Sequence, residues 1–165
     1  MPIAKHRNQI LKKLERSKVL IISGDTGCGK TTQVPKYLIE HGAATNQEVN
    51  IIFTQPRRLA ATNIAKRVAL EMSDRIGNKV GYQVGMESRS GPDTRVLFMT
   101  TGIFLMRLVN NPDSLARYTH IIMDEVHERD LDIDFCLVVL KHLLSSMETA
   151  GLNFKVILMS ATFNT

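Results

Sequence analysis

Apolar positions along the chain follow two alternating rhythms. Short unbroken runs rich in β-branched residues, "KVLIIS" from Lys18, "VNIIFTQP" from Val49, "RVLFMT" from Arg95, "THIIMD" from Thr119 and "KVILMS" from Lys155, predict buried strands, the second closed by Pro56. Between them apolar residues recur at helical spacing: Ile10, Leu11 and Leu14, then Val34, Tyr37 and Leu38, then Ala61, Ile64, Ala65, Val68 and Met72, and finally Phe135, Val138, Val139 and Leu143 on one side of "DFCLVVLKHLLSSM". Strand and helix alternation predicts an α/β fold, a mostly parallel sheet with helices on both faces. In such a fold ligands bind beyond the carboxyl ends of the strands, so the informative polar residues are those just after each strand. The loop-rich spans are "HGAATNQEVN" and "ESRSGPDT", and no repeat or internal domain boundary is predicted.

Bulk properties change this picture little. A chain of 165 residues, 44% hydrophobic, is long enough to bury one sizeable core. With 21 Lys plus Arg against 16 Asp plus Glu the charge is +5, compatible with a polyanionic partner without requiring one. Cys28 and Cys136 stand far apart without metal-ligand spacing, which argues against a zinc site or a disulfide framework and for a reduced compartment. No apolar run approaches membrane-spanning length and the basic start lacks an apolar signal core, so a soluble, cytoplasmic or nuclear protein without membrane association is expected.

Candidate chemistry begins directly after the first strand. "GDTGCGKT", Gly24 to Thr31, matches the phosphate-loop pattern in the strand-to-helix context that gives the pattern meaning. Gly24, Gly27 and Gly29 permit a tight loop whose N–H groups form a concave anion site at a helix N-terminus. Lys30 brings a point charge to the β and γ phosphates, and Thr31 a hydroxyl to Mg²⁺. Asp25, Thr26, Cys28 and the following Thr32 complete the expected nucleotide-contacting stretch, Cys28 being a small residue tolerated at a variable position. The expected cofactors are ATP, or another nucleoside triphosphate, and Mg²⁺.

At residues 121 to 130, "IIMDEVHERD" runs from a buried strand straight into two carboxylates. With a triphosphate site nearby, Asp124 at the strand end is placed to hold the metal, and Glu125 to polarise a water as general base.

"GDTGCGKTTQ", "TQPRRLAA", "MTTG", "DEVHER" and "SAT" occur in the order and at the approximate spacings of the first RecA-like domain of DEAH-box superfamily 2 helicases, and the chain resembles that domain over nearly its whole length. Within that class, "GYQVGMES" and "DEVHERDLDIDF" are similar to the spindle-E type of Tudor-domain helicase of germline small-RNA silencing. The resemblance implies a three-layer αβα RecA-like domain spanning residues 1–165, a piece of a longer ATP-dependent RNA helicase. It also implies a second RecA-like domain supplying arginine fingers, and ribonucleoprotein or germ-granule partners. His127 would couple the nucleotide state to the RNA cleft, Ser160 and Thr162 would link hydrolysis to strand movement, and Arg67 would stack on the nucleotide base. An internal ion pair of Glu128 with Arg129 would tie the acidic loop down.

RNA contacts are expected from Arg57 and Arg58, after one strand, and from Thr100, Thr101 and Gly102, after another. Guanidinium forks, hydroxyls and backbone N–H groups suit phosphate oxygens and carry no base preference. One stretch departs from the family pattern: Gln83 is followed by Val84, Gly85 and Met86 where many members have an arginine and an aromatic residue. Alone, the chain is expected to fold, to bind and hydrolyse nucleotide weakly, and not to unwind duplexes. A DNA-directed or nucleic-acid-independent ATPase, and a non-catalytic scaffold, are the competing readings.

Overall fold

The computed structural model describes residues 1–161. After a 3-10 turn at Pro2–His6 come α1 (Arg7–Arg16), β1 (Val19–Ser23), α2 (Lys30–Thr45), β2 (Ile51–Gln55), α3 (Arg58–Glu71), β3 (Val80–Val84) and β4 (Glu87–Arg89). They are followed by β5 (Val96–Thr100), α4 (Thr101–Asn110), β6 (His120–Met123), α5 (Leu131–Ser145) and β7 (Lys155–Ser160). The strands form one sheet in the order β1-β7-β6-β2-β5-β3-β4, parallel except for the antiparallel β3–β4 pair.

Because successive strand residues point to opposite faces, the sheet carries two cores. Phe53, Ile122 and Ile157 face α1, α2 and α3 through Leu14, Val34, Leu38, Ala65 and Val68. Ile52, Ile121 and Met123 face α4 and α5 through Phe104, Leu108, Ile133 and Leu140. This is the three-layer αβα arrangement expected. Each fully buried Ile or Phe contributes about 1.5–3 kcal/mol through removal from water. Asp130 starts α5 by accepting a hydrogen bond from the Ile133 N–H at 2.8 Å, a cap that contributes about 1 kcal/mol.

Three expectations are corrected. The first strand is not buried but lies at the sheet edge: Leu20 and Ile22 pack toward the first core, whereas Val19 and Ile21 on the other face are 40% and 60% exposed. The buried stripe of α5 is Ile133, Cys136 and Leu140; of the predicted stripe Val139 and Leu143 pack against that core, whereas Phe135 and Val138 are 52% and 66% exposed. The helix is apolar nearly all round, so periodicity alone picked a neighbouring stripe. Within the loop-rich span "ESRSGPDT", Glu87–Arg89 instead form β4 of the β3–β4 hairpin, which turns at Gly85 with φ +52° and closes tightly at Gly81, where a side chain would meet the Arg89 carbonyl at 2.5 Å; residues 90–94 remain irregular, as expected.

Candidate active site

The phosphate loop leaves the C-terminal end of β1 and enters α2 through Gly29. Gly27 and Gly29 carry φ +81° and +97°, so the left-handed turn is glycine-dependent there; at Gly29 a Cβ would also meet the Met1 sulfur at 2.8 Å. Gly24 acts differently: its N–H donates to the Ser160 carbonyl at 3.3 Å and stitches the loop to β7. Lys30 is only 7% exposed, and its ammonium donates to the carbonyls of Gly24 at 2.5 Å and Asp25 at 3.1 Å, with the Cys28 sulfur at 3.5 Å. The lysine is held over the concavity by its own loop.

Asp124 follows β6 and is 2% exposed. Its Oδ2 accepts from the Thr31 hydroxyl at 2.7 Å and from the Gln55 amide at 2.6 Å; its Oδ1 accepts from the Glu125 N–H at 2.9 Å. Burial pushes its carboxyl above the ordinary value, and these donors together with Lys30 oppose that push. Thr31 and Asp124 offer hard oxygen donors side by side from opposite walls, a set that suits Mg²⁺.

Glu125 sits at φ +58°, a left-handed backbone that costs a residue with a Cβ about 1–3 kcal/mol. Its carboxyl is raised by burial and by Asp124, with His127 acting the other way. The Ala161 N–H donates to His127 Nδ1 at 3.2 Å, which leaves the proton of the neutral ring on Nε2, 3.1 Å from Glu125 Oε2. His127 thus links the acid to the end of β7 inside this domain, a connection that sequence alone did not suggest.

Lys30, Thr31, Thr32, Asp124 and Glu125 line one cleft of about 240 Å³ together with Thr26, Gly27, Gly29, Arg67 and Ile64. Arg67 reaches this rim from α3, held by Glu71 Oε1 at 3.1 Å, while Glu71 Oε2 accepts from Gln33 at 2.9 Å and Lys36 at 3.3 Å. Gln55, Ile64 and Glu71 were not anticipated. Gln55 is the last residue of β2, so a polar side chain closing a buried strand was the available signal.

The other predicted residues divide. Arg57 and Arg58 are exposed at the start of α3, Arg58 lying against the β3–β4 turn at Gly85. The expected Glu128–Arg129 pair is not formed; Glu128 accepts from Arg57 at 3.0 Å and Arg129 pairs with Asp134 at 3.7 Å. Thr100 and Thr101 are 9% and 1% exposed, and the Thr101 hydroxyl is buried without a partner, so it is not open at the surface where RNA was expected. Gly102 lets α4 approach α5, a Cβ there falling 3.1 Å from Asp132 Oδ2. Ser160 is 1% exposed and joins the phosphate loop through its carbonyl; Thr162 lies outside the described residues.

The sequence signature of the DEAD/DEAH box helicases matches residues 4–165. The chain belongs to that family. It is 48% identical over 164 residues to the "Probable ATP-dependent RNA helicase spindle-E" of Culex quinquefasciatus, covering 99% of this chain and 12% of that protein. It is 46% identical over 166 residues to the "DExH-box ATP-dependent RNA helicase DExH3" of Arabidopsis thaliana, covering 99% of this chain and 14% of that one. With the "ATP-dependent RNA helicase TDRD9" of Danio rerio it shares 44% over 164 residues, again 99% of this chain and 12% of the relative. The chain therefore spans about an eighth of the length of the curated relatives it matches.

Proposed function

We propose that this chain is the nucleotide-binding domain of an ATP-dependent RNA helicase, hydrolysing ATP by in-line attack of water in concert with a second RecA-like domain. The observation that carries the reading is the Thr31–Asp124–Gln55 junction, which brings the phosphate loop, the acid after β6 and the end of β2 to one carboxylate. Thr31 and Asp124 would hold Mg²⁺, which when bound would neutralise phosphate charge. Lys30 exchanges its loop carbonyls for phosphate oxygens, and the N–H groups at the start of α2 receive the anion. Glu125, its basicity raised by burial and kept in place by His127, takes the proton of the attacking water. Arg67 flanks the base from the rim of the cleft.

Coupling to RNA runs through two links. Glu128, three residues after Glu125, holds Arg57 on the edge where RNA phosphates bind, and His127 holds the end of β7. Arg57, Arg58 and the backbone around Gly102 supply sequence-independent phosphate contacts, with the Thr101 hydroxyl serving only if α4 shifts. The test is ATP turnover by the whole protein with and without single-stranded RNA. Stimulation by RNA but not by DNA, lost in Lys30→Ala, is expected; equal stimulation by DNA, or none by either, would sink the RNA assignment.

A further inference from the structure

A second cleft, of about 300 Å³, opens on the α4 side of the sheet toward the N-terminal ends of the strands, away from the phosphate loop. It lies between the starts of β2 and β5, the end of α4 and the 3-10 turn Pro112–Arg117 that leads back into β6. Two guanidiniums line it, those of Arg107 and Arg117, and among the described residues no carboxylate does. Both approach the ring of Tyr118, at 6.0 and 5.4 Å from its centroid, and Tyr118 is only 7% exposed.

Arg107 is oriented by two hydrogen bonds, to the Tyr118 hydroxyl at 3.1 Å and to Gln83 Oε1 at 2.9 Å. A guanidinium has five N–H donors, so this half-buried group keeps donors free at the wall of the cleft. Arg117 is exposed and its guanidinium has no hydrogen bond or ion pair among the described residues. Glu48 is paired with Arg95 and attracts Arg117 only weakly through space, without an ion pair between them. Two like charges sharing one aromatic ring repel, and an anion between them converts that repulsion into attraction.

We propose that this cleft binds a small phosphate monoester, gripped by Arg107 and Arg117 and recognised further by Ser90 and Asn111. The charge matches: a phosphate monoester carries about −1.5 to −2 at neutral pH, and guanidinium forks fit its oxygens in bidentate fashion. The size matches too, since the cleft stands at the small end of ligand pockets, which run from about 300 to 1,000 Å³. The site is independent of the nucleotide cleft and does not rest on the helicase reading.

The experiment is an amide NMR titration of this chain with inorganic phosphate and with glycerol 2-phosphate. Saturable shifts at residues 90–94 and 111–118 are expected, separate from those at the phosphate loop. Arg117→Gln should weaken the first set roughly tenfold, as loss of a charged hydrogen bond implies, and leave the phosphate-loop set unchanged; Arg117→Lys should fall between. Absence of saturation at 111–118, or shifts unaltered in Arg117→Gln, would overturn the site. Citrate binding as tightly as glycerol 2-phosphate would overturn the phosphate assignment. A hydroxyl-terminated RNA oligonucleotide occupying the same amides more tightly than either phosphate would overturn the small-ligand assignment.

Discussion

β1 and β6 deliver the two halves of the nucleotide cleft, and they are held in opposite ways. β1 runs along the sheet edge with one face half in water, whereas β6 lies between β7 and β2 with Ile121, Ile122 and Met123 fully buried. The groups that follow repeat the contrast. Lys30 is restrained by carbonyls of its own loop, within six residues, while Asp124 is restrained by side chains from α2 and β2, 93 and 69 residues away in sequence. The phosphate grip is therefore a local device that a short stretch of sequence specifies, and the acid is a tertiary one that the assembled sheet specifies.

The sharpest way to separate the halves is to disable each in the whole protein. Glu125→Gln should leave nucleotide binding in place and lower turnover by about 10²–10⁴-fold, the usual range for a lost general base, whereas Lys30→Ala should remove binding itself. Equilibrium nucleotide titration beside steady-state turnover measures both; wild-type turnover in Glu125→Gln would remove the base from position 125.

The strands themselves give the next effect. Ile122→Ala should destabilise the chain by about 2–5 kcal/mol, and Ile21→Ala by no more than about 0.5 kcal/mol, as read by urea unfolding. Equal losses would mean that β1 is covered in solution.

A pH effect separates β6 from β1 as well. His120, at the start of β6, is depressed from 6.5 to about 4, first by burial and then by Lys155 and His41. The folded state binds that proton less readily than the unfolded chain, so stability is lost as pH falls from 6.5 toward 4, by roughly 2–3 kcal/mol in all. His120→Asn should flatten the unfolding free energy across that window; an unchanged slope would show that other groups set it. Since Asp124 and Glu125 are shifted upward and act in the opposite sense, the comparison with the variant, not the wild-type slope, isolates the histidine.

The smallest effect concerns the link between the acidic turn and the proposed RNA edge. Glu128→Gln releases Arg57 from a largely exposed pair, a contact that contributes about 0.2–1 kcal/mol. RNA affinity at low salt should rise by up to about fivefold, with RNA stimulation of turnover reduced. Unchanged affinity and stimulation would mean that Arg57 and Glu128 do not communicate.

Much of this arrangement was legible in the sequence, for reasons that follow the same contrast. The phosphate loop and the helix after it depend on residues adjacent in the chain, and so does the placement of Asp124 at a strand end. Gln55 escaped notice because its role depends on β2 lying beside β6, a neighbour relation that strand patterns do not encode. The edge position of β1 is invisible for the same reason: an edge strand with both faces apolar reads like a central one. Phe135 and Val138 misled because α5 has more apolar positions than one buried stripe can use. Thr101 was assigned to the surface from its place after a strand, but as the first residue of α4 it is buried.

Glu125 and Arg129 both adopt left-handed backbone, bracketing the turn Val126–Glu128 without a glycine at either end. Residues 121 to 130 excised as a peptide would therefore lose this bend, and the acidic motif is not portable. Transplanted into another scaffold, the same letters would carry their charges without their aim unless the flanking strand ends came with them.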